Sequence, residues 1–554
     1  MDQEKPGLMA IGSSRQQSVP RVPTQRGRTV KATLSTLAAF IALATGTWAG
    51  ERVIHFRNNG TGAYPDADPP LEWSVTKNVK WHWHTPVLGK TISGPLVVGE
   101  RIVTLASPMI IVCLDKNTGK ELWRREKHLE AAQGGKDKAF EIHEAIRRDH
   151  RIKELASILG VKEKGATSLA RTLDPRKGLG ARLKAKGMSA EDKAFVQKQI
   201  KLVEAAIADG KANKAKYEAE LADLKTKVPT EKHAIRAGSY LCATTPESDG
   251  ERIFAIFSPG LLVCHDLEGR LLWTHALVND RGGLPKRSWG TYTKVPALAD
   301  GKLVAAWGDI IHCLDAKTGN VIWKGQDSGA HCAACPVIGT IGGKHYVALG
   351  GRQVRSLDDG KLVFTAEVDG ALRAPLYGQR SVSADRRTFY YGGFAMRLQE
   401  DPAKPVKLLW QLGPENWMAK KGKDTPPNLG EKPVFGGSHQ YCPPVAHEGI
   451  VYYQNTHNKR FFSALDAETG NMIYGPHENL TGATYSDLTL AGNYLFLFDS
   501  GKGGGRCIIL KKGRTFEKVG ENQLEPLTWN NPVFEGKRMY VRTHRSLFCM
   551  EKPQ

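Results

Sequence analysis

The residues with the most chemistry-like spacing in this chain are cysteines. Cys332-Ala333-Ala334-Cys335 sets two thiols three positions apart, with His331 just before them and Pro336 just after. A pair at that spacing reads as a reversible redox couple or as half of a metal site. Cys242 stands four residues before Pro246, as Cys332 stands four before Pro336. Cys442 is two before Pro444, with His439 close by. Thiolate and imidazole donors suit zinc or copper. A metal reading therefore takes Cys332, Cys335, His331, Cys442, Cys242 and His439 as its ligands. Two other readings stand beside it: a local Cys332–Cys335 disulfide, which needs Cα atoms within about 7 Å, and plain loop cysteines. Cys113, Cys264, Cys313, Cys507 and Cys549 lie in apolar runs and read as small core residues.

Other reaction chemistries find no motif. The sequence has no Ser nucleophile elbow, no His-Glu-x-x-His pair and no dinucleotide glycine fingerprint. Gly503-Gly504-Gly505 is followed by neither Lys-Ser/Thr nor a helix pattern, which excludes a phosphate loop. The formal net charge is +21. A basic surface favours acidic partners, but no aromatic-basic stripe points to nucleic acid.

The elements that must position these residues come from a repeat. Leu114-Asp115-Lys116-Asn117-Thr118-Gly119-Lys120-Glu121-Leu122-Trp123 returns as Leu314 to Trp323 and as Leu465 to Tyr474. Shorter versions run His265 to Trp273 and Leu357 to Phe364. An apolar strand precedes each Asp. Asp and Thr begin a tight turn by bonding nearby backbone N–H groups. Gly takes the positive φ, and a second strand ends on a large ring. Each unit is a small antiparallel sheet that must stack on its copies. Eight units are counted, beginning near Pro95, Pro246, Pro296, Pro336, Pro375, Pro444, Leu488 and Pro532. The eighth ends at Leu547-Phe548-Cys549-Met550, one strand short. Val79-Lys80-Trp81-His82-Trp83-His84 alternates and carries the missing Trp. The prediction is an all-β, eight-bladed β-propeller closed by an N-terminal strand, which leaves no long exposed edge. His82 and His84 are then one face of a strand rather than metal ligands.

The chain divides into a leader and signal peptide over 1–49, the closing strand and first blade over 50–126, an α-helical insertion over 127–235, and blades two to eight over 236–554. Leu34 to Gly46 has the length of a signal-peptide apolar core and is too short for a stable membrane span. Thr47-Trp48-Ala49 allows cleavage before Gly50, with Val30 as a candidate start. A periplasmic or secreted protein is expected. In the insertion, Val196, Ile200, Val203 and Ile207, then Tyr217, Leu221, Leu224 and Val228, mark an apolar seam of a helical hairpin interrupted near Gly210 and Lys214. A further helix fits Ala139–Leu159. As a surface insertion it is expected to be removable without loss of the propeller.

The Asp-x-x-Thr-Gly-Lys-x-x-Trp phrase resembles the tryptophan-docking motif of the quinoprotein-like superfamily, eight-bladed propellers with pyrroloquinoline-quinone-type repeats. The resemblance covers 71–125 and 236–552. It implies one of two functions: a non-enzymatic binding or scaffold module of the cell envelope, or a quinone-dependent alcohol or sugar dehydrogenase with a divergent site. The dehydrogenases hold calcium and quinone with Glu, Asn and Asp from blade-start loops. Two residues before each blade start this chain has Ser93, Thr244, Lys294, Ala334, Arg373, Cys442, Ser486 and Asn530, with Asp487 one residue on. Lys294, Arg373, Asp487 and Asn530 are the channel-facing candidates for a cofactor, pyrroloquinoline quinone with calcium. The adjacent-cysteine pair and the Cys-x-x-Cys-His haem signature of such enzymes are missing. For a scaffold, the implied partner is an envelope protein or glycan, met through the channel face or the helical arm. No nucleic acid is implied.

Overall fold

A computed structural model of the chain describes residues 51–84, 93–106, 109–126, 138–163, 166, 168–175, 178–184, 187–227, 244–257, 260–278, 295–327, 335–368, 380–412, 442–455, 461–478, 480–481, 486–499, 505–525 and 532–554. Eight antiparallel sheets follow one another along the chain. In the first, Leu96–Val98, Arg101–Ala106, Ile110–Asp115 and Glu121–Arg125 pair in sequence order. The first strands of successive sheets meet around a central channel. In the eighth sheet, Val533–Glu535, Arg538–Arg542 and Ser546–Glu551 are completed by Val79–His84 from the other end of the chain. The eight-bladed propeller and its N-terminal closure are as the repeat predicts.

The repeat motif explains how the blades lock. Asp115 Oδ1 accepts from the Thr118 backbone N–H at 2.8 Å and from its hydroxyl at 2.7 Å. Asp315 with Thr318, and Asp466 with Thr469, repeat the arrangement. Where a tryptophan stands in the last strand of a blade, it docks on the next. Trp123 Nε1 donates to Leu267 O at 2.8 Å, Trp323 Nε1 to Leu357 O at 2.8 Å, and Trp410 Nε1 to Ala467 O at 3.0 Å. Trp81 Nε1 donates to Lys116 O at 3.0 Å, so the N-terminal strand docks blade eight onto blade one by the same device. The turn glycine has a second duty besides its φ of +71°: a Cβ on Gly119 would lie 2.5 Å from the Trp81 ring. A side chain there would push the ring out of its seat.

Two units differ in detail from their sequence reading. The fifth blade begins at Ser381–Val382, so the place of its blade-start proline is taken by Arg380 rather than Pro375. In the seventh, the sequence offers Gly503-Gly504-Gly505 as the turn between the last two strands, but Gly505 opens the third strand, Gly505–Lys511, and the turn before Lys518–Leu524 is built by residues 512–517.

The insertion is helical over Lys138–Leu159, Leu169–Thr172, Leu179–Leu183, Ala190–Ala212 and Lys214–Thr226. Ser189 caps the fourth helix, its Oγ accepting from Asp192 N. Gly210 does not interrupt that helix. It lies inside it, packed so closely on Ile158 that a Cβ would come within 2.3 Å; the break is at Asn213. The helices are not a free arm. Phe195, Val196, Val203, Leu169 and Leu179 share one apolar cluster with Trp81, Trp83 and Phe548 of blade eight. The Phe195 ring lies 5.3 Å from His82 and 5.6 Å from His84. Asp192 accepts hydrogen bonds from Ser74 and Thr76 beside the closing strand. The insertion is therefore more than surface decoration: its helices cover the outer face of the strand that closes the ring, and removing them would uncover apolar surface there. Among the described residues no helix is long and apolar enough to cross a membrane.

Candidate functional site in the central channel

Residues 51–67, which carry no repeat motif, form a hairpin inside the channel. Val53–Ile54 runs antiparallel along the first strand of blade one, Val53 opposite Val98 and Ile54 opposite Val97. Ala63–Tyr64 returns parallel to the first strand of blade seven, Ala63 opposite Leu490. Both legs leave at the face bearing the turns between first and second strands, where Glu51 N meets Gly250 O and Gly492 N meets Tyr64 O. The tip therefore points towards the blade-start residues.

The tip is left-handed. Arg57, Asn58 and Asn59 have φ of 50°, 47° and 59°, followed by Gly60 at 82° and Gly62 at 73°. Asn and Gly tolerate this region, whereas Arg costs about 1–2 kcal/mol there. Gly62 is required twice over, since a Cβ would fall 2.2 Å from Arg57 Nη2. This strain places Arg57, 4% exposed, at the level of the blade starts. Its Nη2 donates to Pro444 O at 3.2 Å and Leu488 O at 3.3 Å, and its Nε lies 3.3 Å from Asp487 Oδ2. Burial pushes the Asp487 carboxyl up to about 7, against the pull of Arg57. The guanidinium stays charged. Beside it, His55 Nδ1 lies 2.7 Å from Glu247 Oε1, and Glu247 also accepts from the Phe56 and Ser248 N–H groups. Burial opposes charge on His55, but Glu247 outweighs it and raises the imidazole above its usual range.

Of the sequence candidates, Asp487, Cys335 and Cys442 fall within the described residues, and all three lie within electrostatic reach of Arg57 or in contact with it. Cys335 Sγ accepts from Val295 N at 3.2 Å, and Cys442 Sγ donates to Ser486 O at 2.9 Å. Lys294, Arg373, Asn530, Cys242, His331, Cys332 and His439 lie outside the described residues. So does the Cys332 half of the proposed disulfide. Among the described residues no three His, Cys, Asp or Glu side chains gather at metal-holding range. The five repeat cysteines are buried in the blades, and burial pushes the Cys113, Cys313 and Cys549 thiols up to about 12. They are core residues, as their position in the repeat predicts.

The described channel residues do not fit a calcium–quinone pair. The Ser93 hydroxyl donates to Gly94 O and accepts from Leu105 N, and the Thr244 hydroxyl donates to Ile256 O, so both are spent on the blades' own backbone. The carboxylates described at the blade starts, Glu247 and Asp487, face His55 and Arg57 of the hairpin. Sequence reasoning missed Arg57, His55, Glu247 and Arg380. The run Arg57-Asn58-Asn59-Gly60-Thr61-Gly62 does carry a turn signal, but nothing local says that the turn is housed in a channel.

A family model described as outer membrane protein assembly factor BamB matches residues 258–519. Among solved structures, BamB from Moraxella catarrhalis is 14% identical, covering 56% of this chain and 83% of that one at a TM-score of 0.39. The quinohemoprotein alcohol dehydrogenase from Comamonas testosteroni is 13% identical, covering 86% and 77% at 0.47. A europium-containing methanol dehydrogenase is 12% identical, covering 89% of each chain at 0.46. No curated protein matches in sequence. With eight blades, a recurring Asp-containing turn motif in five of them, tryptophan docking between blades and a family model matched over 258–519, the chain is an eight-bladed β-propeller similar over that stretch to the PQQ-repeat, BamB-like family.

Proposed function

We propose that this protein is a non-catalytic binding propeller of the cell envelope, with an envelope protein as its partner. The observation that carries this reading is the hairpin of 51–67, which enters the channel and sets Arg57 against Asp487 and His55 against Glu247. A calcium–quinone site built on those two carboxylates would need them open. The BamB-type family model supports an envelope role, and a leader ending near Ala49-Gly50 would deliver the chain there.

The test is to incubate the purified protein with pyrroloquinoline quinone and calcium, desalt it, record the quinone absorption and assay dye reduction with alcohols and sugars. No retained quinone and no turnover are expected. Stoichiometric retention with turnover would overturn the reading in favour of a dehydrogenase. Photo-crosslinking from positions on the blade faces in intact cells should give discrete adducts with an envelope protein; uniform absence of adducts would count against a binding role.

A further inference from the structure

Between the hairpin tip and blades three to five lies a cavity of about 30 Å³. The residues that line it include three arginines, Arg57, Arg380 and Arg386, and one acid, Glu247. Glu247 is already held by His55. Arg380 is 2% exposed. Its Nη1 donates to Ala348 O at 3.2 Å, and its charge lies 5.3 Å from the Tyr391 ring centroid. Among the described residues its Nε and Nη2 have no hydrogen-bond partner, and neither does Arg57 Nη1. Arg386 spends its two terminal nitrogens on Asn59 O and Ile338 O, so its donors hold the tip in place while its charge remains.

Two buried guanidinium groups with unpaired N–H donors on one cavity demand an acceptor. Arg57 has Asp487 beside it, but Arg380 has no carboxylate among the described residues; a buried cation without one costs several kcal/mol, and arginine cannot escape by losing its proton. A carbonyl and an aromatic face satisfy only part of Arg380. The space admits a group of a few heavy atoms, and guanidinium donors match the planar or tetrahedral array of an oxyanion. We infer that this cavity is a binding site for a small oxyanion, a phosphate, sulfate or short carboxylate, held by Arg380 of blade five and Arg57 of the hairpin. The bound anion would tie the hairpin to blades on the far side of the channel from its two strand pairings. The site stands independently of the identity of any partner.

Calorimetry on the full chain at constant ionic strength, with inorganic phosphate, sulfate and acetate as probes, tests this. Saturable one-to-one binding of at least one probe is expected, with a matching rise in melting temperature. Arg380→Gln should weaken it at least tenfold, while Arg387→Gln, an exposed charge on the same blade, should leave it unchanged. Ala297→Leu, which fills the cavity from blade three without removing a charge, should also abolish binding, and it decides the matter if Arg380→Gln does not fold. No saturable binding by any probe, or equal binding in wild type, Arg380→Gln and Ala297→Leu, would overturn the inference.

Discussion

Arg57 and Asp487 show how a single strained residue can set the state of a channel. A left-handed arginine is retained where the surrounding structure over-determines it, and here carbonyls from blades six and seven and a buried carboxyl do so. The pair has a pH consequence. Asp487 is raised to about 7 by burial, and His55 is raised, against burial, by Glu247. A group whose folded pKa exceeds its unfolded value stabilises the fold below the unfolded value and loses that contribution as pH rises through the folded one. Both groups act in the same direction, so the protein should melt at a higher temperature at pH 6 than at pH 8, by an amount on the order of a few kcal/mol in stability. Asp487→Asn should flatten most of that slope. A variant with the wild-type slope in thermal melts between pH 6 and 8 would show that the carboxyl is not the titrating group.

At the scale of elements, the turn glycine and the docking tryptophan form one contact split between two blades. Gly119→Ala adds a Cβ 2.5 Å from the Trp81 ring at a φ of +71°, so it should cost about 2 kcal/mol or more. Trp81→Ala empties the same seat and should cost about 3–5 kcal/mol. Because the two substitutions damage one contact, their combination should cost clearly less than the sum. Additive losses in denaturant titrations would mean that the ring and the turn act separately. The helical insertion obeys the same logic of shared faces. Replacing 127–235 by a short Gly-Ser bridge uncovers the blade-eight surface that Phe195 covers, including His82, His84 and Phe548. The truncated protein should stay folded at low temperature but melt several degrees lower; an unchanged melt would show the interface to be energetically idle.

At the scale of the molecule, the N-terminal segment does two separable things. Residues 51–67 enter the channel, and Val79–His84 close the ring. Deleting 51–67 should leave a cooperative, monomeric propeller of reduced stability, with the channel open. Deleting the closing strand as well should expose the edge of Ser546–Glu551 and drive aggregation. Size-exclusion chromatography separates the two outcomes, and identical behaviour of both deletions would contradict the division of roles.

The sequence by itself determined the eight blades, their order, the closing strand and the burial of the five repeat cysteines. Each of these depends on a motif that recurs along the chain, and a local pattern of Asp, Thr, Gly and Trp forms the same turn wherever it occurs. The same pattern misplaced the start of blade five, because no proline or motif marks Arg380. What only the tertiary structure decided is the content of the channel. Arg57 and Asp487 are 430 residues apart in the chain, and no spacing rule links them. Their meeting depends on closure of the ring, which turns eight strand starts towards one axis, and on the hairpin entering from the opposite face. The docking of the insertion was hidden for the same reason: a periodic apolar seam shows that a helix has a buried side, but not which surface, its own partner helix or the closing strand of a propeller, will cover it.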